Sequence, residues 1–409
     1  MSIFKLGLKN IFSRPMSSVL SIMLLSLGVS MISLLILINT VLKEQMDNNL
    51  KGIDMVVGAK GSPLQLILSS VYHVDSPTGN ISLADANSIT RNRMVKNSTK
   101  LSFGDNYKGF KIVGTEKNFL ELYKCDVEDG RIWKKSLEAV VGNKVAEILE
   151  LKIGDEFTSS HGLGDYGESH EDSVFKVVGI LETSNSVADQ LILTSLESVW
   201  DIHKEHDHDH DEEHDHDHDE EHEHGEDPKE ITSILVKFDS PMNIISFPRY
   251  INEETNMQAA VPSYEISRLF KIFGIGFETL TYLAYLIMFV SGLSLFLNLL
   301  NSLKERKYEM ALIRTIGGTK VQTSLMLFYE SIILCIIGFV GGIILSRIGI
   351  LVTSNLLEES LNYSISIPIL LSNQEILLLI FSILIGIFAC VLPAVNVYNM
   401  NISKTLSDE

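Results

Sequence analysis

Residues 304–320 read KERKYEMALIRTIGGTK and stand between two apolar runs, Thr279 to Leu303 and Val321 to Ser346. About 20 helical residues cross ~30 Å of hydrocarbon, so each run is long enough to be a membrane helix and the segment between them is a short loop at one face. Its Lys304, Arg306, Lys307, Arg314 and Lys320 fix that face, because basic residues in short loops stay cytoplasmic. Two further runs of the same kind are Met16 to Leu42 and Ile376 to Tyr398. The first is too long for a signal-peptide core and continues into Lys43 and Glu44 without a small-residue cleavage site, so it reads as a retained helix. Lys5, Lys9 and Arg14 precede it, whereas the link from Gly349 to Glu375 contains Glu358, Glu359 and Glu375 and no basic residue. Both chain ends are therefore expected in the cytoplasm.

The fold class that follows is a multi-pass α-helical membrane protein, with four transmembrane helices and a large mixed α/β extracytoplasmic domain between helices 1 and 2. The expected partition is 1–15 as a cytoplasmic amphipathic segment, 16–42 as helix 1, 43–273 as the outer domain and 279–303 as helix 2. Residues 304–320 then form the cytoplasmic loop, 321–346 helix 3, 347–375 a short outer loop, 376–398 helix 4 and 399–409 a cytoplasmic tail. In the first segment Ile3, Phe4, Leu6, Leu8, Ile11 and Phe12 surround Lys5 and Lys9 until Pro15 stops the pattern, which suits a helix lying along the inner leaflet. In the outer domain, β-type runs at Lys111 to Gly114, Phe175 to Leu181 and Ile231 to Phe238 alternate with helical stretches at Leu83 to Arg93 and Asn143 to Leu151.

Between Trp200 and Pro228 the globular texture is interrupted by HKEHDHDHDEEHDHDHDEEHEHGED, residues 203–227. Fifteen acids against Lys204 leave −14 in residues 201–227, out of −19 for the whole chain, so the acidity is local. No basic surface for nucleic acid is implied. His203, His206, His208, His210, His214, His216, His218, His222 and His224 alternate with carboxylates and offer interchangeable ligands for Zn2+, or for Ni2+ or Cu2+. The same composition forbids a packed core, so the plain alternative is a solvated spacer. Cys125, Cys335 and Cys390 lie far apart and form no CxxC pair, which argues against a disulfide framework or a thiol metal site.

On the 304–320 loop, helical spacing puts Tyr308, Ala311, Leu312 and Ile316 on one side, and Gly317 and Gly318 permit a left-handed stop. An apolar face on a basic cytoplasmic helix calls for a protein partner or the headgroup layer. In helix 3, Glu330 lies early in an apolar run, where either an interfacial structural role or a coupling role fits. Gly338 and Gly342 form a GxxxG pair that lets another helix approach closely, in this chain or in a partner. Arg347, near the outer end, is read as snorkelling outward.

The layout resembles the permease subunits of MacB/FtsX-like ABC transporters, the group that includes the lipoprotein-releasing permeases. The resemblance rests on LGLKNIFSRPMSSVLSIMLLSLGVSMI (6–32), on KYEMALIRTIGGTKVQ (307–322), on VVGNKVAEILELKIGDEF (140–157) with Gly142, Ala146, Gly154 and Asp155, on FKVVGIL (175–181), and on Glu330 ahead of GFVGG. It implies that Glu309, Met310, Ala311, Leu312, Arg314, Gly317 and Gly318 dock on a separate LolD/MacB-like ATP-binding subunit. No GxxxxGK[ST] occurs in the sequence, so ATP is expected on that partner and this chain is expected to be non-catalytic. A dimer with a second copy or a related permease is also implied, in the bacterial inner (plasma) membrane. Three uses remain open: handling of zinc or another divalent metal, with a periplasmic metal-binding or adaptor protein as further partner; release of a lipoprotein, lipid or peptide with an incidental histidine loop; and a non-transporting signalling scaffold.

Overall fold

Alternate residues along the strands of the outer domain enter two different cores. Val56, Val113, Val140, Leu193 and Leu235 pack into one cluster with Leu101, Phe119 and Trp133. Their neighbours Met55, Val57, Ile234 and Val236 face a second cluster, and Ile112, Ala139, Val141 and Ile192 a third. A period of two with both faces apolar means a sheet covered on both sides, which is why these strands read as continuous apolar runs.

The computed structural model describes residues 15–160, 169–206, 229–361 and 371–400. It divides into two compact units, Lys43–Lys271 and a second made of Met1–Leu42 with Ile272–Glu409. The described residues begin with helix α1 (Pro15–Leu50), followed by β1 (Met55–Ala59), α2 (Pro63–Ser70), β2 (Ile81–Ser82) and α3 (Leu83–Thr90). Next come β3 (Val95–Tyr107), β4 (Phe110–Thr115), α4 (Asn118–Tyr123), β5 (Val127–Gly130), β6 (Glu138–Val141) and α5 (Asn143–Leu149). After these follow β7 (Glu156–Ser160), β8 (Ser169–Leu181), β9 (Ile192–Ser195), α6 (Leu196–His206), β10 (Glu230–Ile231), β11 (Ser233–Phe238), α7 (Asn243–Glu254) and β12 (Met257–Ala260). The main sheet runs β12-β1-β11-β3-β4-β9-β6-β8-β5, with β7 pairing β3 and β8, while β10 and β2 form a separate pair.

The motif 140–157 is a strand, helix, turn and strand. Gly142 caps α5 and donates to Leu191 O at 2.9 Å, and a Cβ there would collide with the Ala188 and Asp189 carbonyls, so the close approach requires glycine. The Asp155 carboxylate closes the turn by accepting from Lys152 N at 2.8 Å. Nearby, both guanidinium nitrogens of Arg131 grip Glu138 at 2.7 and 2.6 Å, and this bidentate contact holds the Glu138 carboxyl down at about 2. His73 is buried edge-on against Phe103, with ring centroids 5.2 Å apart. Burial, helped by the charge of Lys111, lowers its imidazole to about 3.

The second unit holds the rest of α1, then α8 (Pro262–Glu305), α9 (Lys307–Thr315), α10 (Lys320–Leu361) and α11 (Asn373–Tyr398). Among the described residues, four helices are long and apolar enough to cross a membrane: α1, α8, α10 and α11. They are longer than the apolar runs alone indicated, and Pro15 is the first residue of α1, a position where its missing N–H leaves no intrahelical bond unmade. The amphipathic segment before it lies outside the described residues. Glycine contacts join the bundle: Gly28 meets Met288 of α8, Gly292 of α8 meets Ile385 of α11, and Gly386 of α11 meets Cys335 and Ser331 of α10.

Candidate functional site

Helix α9 presents two faces of different fate. Met310 and Ala311 are both buried, and Met310 packs with Leu299 and Leu303 of α8, Leu327 of α10 and Cys390, Ala394 and Val397 of α11. Tyr308, Glu309, Leu312, Ile313 and Ile316 point outward, Ile316 with 81% of its surface exposed. Ala311, expected beside the exposed Tyr308, Leu312 and Ile316, is instead fully buried, next to Met310 on the inner face. Arg314 donates Nη1 to Met400 O at 3.0 Å and so ties the end of α9 to the residues following α11. Gly317 ends the helix at φ +107, and Gly318 N returns to Ile313 O at 2.9 Å, the left-handed stop that the paired glycines predicted. Thr319 and Gln322 then cap α10 reciprocally, with Thr319 N donating to Gln322 Oε1 at 3.0 Å and Gln322 N to Thr319 Oγ1 at 3.2 Å. This box is legible in the sequence as T-x-x-Q before an apolar run. The result is a rigidly framed, outward-facing apolar strip of about two helical turns.

Within the bundle, Glu330 is 4% exposed, so its carboxylate is turned inward and not toward lipid. Gly338 and Gly342 are used inside the chain: a Cβ at Gly338 would stand 2.7 Å from Leu25, and one at Gly342 2.6 Å from Val29, both on α1. Arg347 does not snorkel outward. Its Nη2 donates to Glu375 Oε2 at 2.9 Å, and Glu375, expected in the outer loop, is fully buried in the first turn of α11. The other oxygen of Glu375 accepts from Ser33 of α1 at 2.6 Å, and Ser33 also lies 2.8 Å from Ser346 of α10. Ser372 and Glu375 complete a capping box, which the sequence carries as S-x-x-E. One carboxylate thus binds three helices, a role that the sequence reading did not assign.

The histidine tract leaves and re-enters the outer domain at neighbouring points. Trp200 Nε1 donates to Glu230 O at 2.7 Å, Lys229 Nζ lies 5.1 Å from the centre of the Trp200 ring, and Leu83 N donates to Lys229 O at 2.9 Å. His203 and His206 fall at the end of α6, with their side chains outside what the structure describes. His208, His210, His214, His216, His218, His222 and His224 lie outside the described residues. Among the described residues no group of three His, Cys, Asp or Glu side chains could hold a metal ion.

Two family models together cover most of the sequence. The MacB-like periplasmic core domain matches residues 18–250, and the FtsX-like permease C-terminal model matches residues 282–402. The chain belongs to the MacB/FtsX-like permeases. This permease is accordingly a membrane protein with an extracytoplasmic-type domain between its first two apolar helices, and its core-domain match runs across the histidine tract. No curated protein matches it. Solved structures similar to the chain include the periplasmic region of MacB from Actinobacillus actinomycetemcomitans, at 11% identity and TM-score 0.34, covering 54% of this chain and 95% of that one. Another is the extracellular domain of the noncanonic ABC-type transporter YknZ from Gram-positive bacteria, at 13% identity and TM-score 0.31, covering 50% of this chain and 98% of that one.

Proposed function

We propose that this chain is the non-catalytic permease subunit of an ATP-driven ABC transporter, and that α9 is where a separate ATP-binding subunit docks. The observation that carries this reading is the outward strip of Tyr308, Leu312, Ile313 and Ile316 on a helix whose opposite face is already buried. An exposed apolar strip flanked by Lys304, Arg306, Lys307 and Lys320 suits a protein groove with an acidic rim. Glu309, Leu312 and Gly317 would meet the partner directly, Arg314 and Gly318 would fix the helix ends, and Met310 and Ala311 would pass its movement to α8, α10 and α11. Both chain ends would lie in the cytoplasm, in a bacterial inner membrane, with a second copy or related permease completing the transporter.

The test is co-purification of the tagged full chain from its native membrane, followed by assay of ATP hydrolysis in the eluate. Leu312→Asp or Ile316→Asp should lose the ATP-hydrolysing subunit while the permease stays folded. Wild-type permease that brings down no ATPase, or charged variants that keep it, would refute the docking reading.

The tract adds a second element to this function: handling of Zn2+, or of Ni2+ or Cu2+, outside the membrane. What supports it is the alternation of nine histidines with carboxylates between His203 and His224, which brings nitrogen and oxygen donors together. The composition of the tract does not support a packed core, so high capacity and modest affinity are expected. Deletion of residues 203–224 should alter growth or cellular metal under zinc limitation or excess. An unchanged phenotype, with lipoprotein, lipid or peptide accumulating on loss of the whole gene, would favour the incidental-loop reading instead.

A further inference from the structure

The three-helix junction at Glu375 lies at the other end of α10 from the coupling helix. α10 is one helix from Lys320, immediately after Gly317 and Gly318, to Leu361, so a displacement at its first turn is delivered to Arg347, about 40 Å along at 1.5 Å per residue. There Arg347 holds Glu375 at 2.9 Å and Glu375 holds Ser33 of α1 at 2.6 Å. Most other contacts of α1 are apolar or involve weakly directional hydroxyls: Ser17 to Asn298 at 2.6 Å and Ser21 to Ser294 at 3.3 Å, both on α8, and Leu25 and Val29 against Gly338 and Gly342. Van der Waals contacts let helices slide, whereas a charge-assisted hydrogen bond in a low-dielectric interior fixes register. A buried intramembrane charge is expensive unless it does such work.

We infer that Ser33, Glu375 and Arg347 form the positioning element by which α10 carries α1 with it when the coupling helix moves. The inference rests on the docking reading of α9, and it assigns direction to the motion: from α9 through α10 to α1, the helix that continues into the outer domain as far as Leu50. Ser33 is the separable part of the junction. Removing its hydroxyl cuts both of its ties, to Glu375 and to Ser346 of α10 at 2.8 Å, and leaves the Arg347–Glu375 pair and the Ser372 cap in place.

The experiment uses the full permease with its co-purified ATPase in lipid nanodiscs, carrying spin labels at exposed Asn39 on α1 and Thr353 on α10. In the wild type the label distance should be the same with and without ATP, because the two helices travel together. In Ser33→Ala the nucleotide-free distance should match the wild type, since the helices remain packed, and ATP should then separate the two populations. ATP hydrolysis should persist in this variant, while the coupling between nucleotide and helix position weakens by roughly fivefold or more. Ser17→Ala, which removes a comparable hydroxyl bond from α1 to α8, should behave as wild type. Arg347→Lys should retain part of the effect, as it keeps the charge and loses the planar fork. A Ser33→Ala distance that stays unchanged by ATP, or a Ser17→Ala variant that slips equally, would overturn the inference. Wild-type complex without ATP hydrolysis would instead mark failure of the docking reading itself.

Discussion

Arg347 and Glu375 meet at 2.9 Å, on helices α10 and α11, with the Glu375 side chain fully buried and that of Arg347 17% exposed. Such a pair is asymmetric in its energetics. Removing one partner leaves an uncompensated buried charge and costs ~3–5 kcal/mol, whereas replacing both by apolar residues of similar volume is close to neutral. Glu375→Leu and Arg347→Leu alone should therefore each lower the unfolding midpoint in detergent strongly, and the double variant should recover most of the loss. A double variant as unstable as the sum of the singles would show that the pair acts as independent groups.

The contact between α1 and α10 gives a second, steric prediction. A Cβ at Gly342 would stand 2.6 Å from both Val29 Cβ and Cγ1, while one at Gly341 would meet only Ser26 Cβ at 3.4 Å. Gly342→Ala should destabilise the bundle by ~1–3 kcal/mol, the usual cost of overpacking, and Gly341→Ala should be close to neutral. Thermal unfolding of the two variants side by side checks this, and equal behaviour would remove α1 as the partner of the GxxxG pair.

Much of this architecture was legible in the sequence for a simple reason. Apolar runs and the Gly317 stop are local signals, and so are the β4, α5 and β11 segments, whose flanking residues decide them. The junction at Glu375 was not legible as such, because Ser33 and Glu375 are 342 residues apart and only folding places them together. Its local half could have been found: Ser372 and Glu375 have the spacing of a capping box, which puts Glu375 inside the helix and not in the preceding loop. Ala311 shows the opposite difficulty. Helical spacing groups it with Tyr308 and Leu312, but which side of α9 meets the bundle depends on how α8 and α10 pack around it.

His73 makes the outer domain acid-sensitive in a defined window. Its imidazole is neutral in the fold down to about 3, against 6.5 for the free group, with burial as the main cause and Lys111 as the lesser one. Between those values the unfolded chain binds a proton that the folded chain refuses, so stability is full above pH 6.5 and falls as pH drops toward 3. The slope from one such group is ~1.4 kcal/mol per pH unit. Glu138, held down at about 2 by Arg131, adds its own loss only below its ordinary range near 4.5. His73 has φ +53, a left-handed conformation that Asn adopts readily. His73→Asn should therefore flatten the unfolding midpoint between pH 6.5 and 4.5 relative to wild type, and an unchanged slope would assign the acid sensitivity elsewhere.

The contact of Trp200 with Glu230 allows folding and the proposed metal binding to be tested apart. Trp200 and Glu230 are joined directly at 2.7 Å, and Lys229 lies over the same indole, so the chain returns beside Trp200, six residues before the end of α6. Loop-closure entropy grows only slowly with loop length, at about 0.6 kcal/mol per doubling. Replacing residues 207–227 by a few glycines and serines should then leave the unfolding midpoint of the outer domain unchanged or slightly raised. Trp200 also supplies the readout for the metal, since it and Trp133 are the two tryptophans of the chain and Trp133 is buried in the core. Cu2+ or Ni2+ bound near the root should quench Trp200 fluorescence in the wild type and not in the shortened variant. Quenching that survives the deletion would place the metal on other residues, and a collapse of the fold on deletion would show that the tract is part of the domain and not a pendant on it.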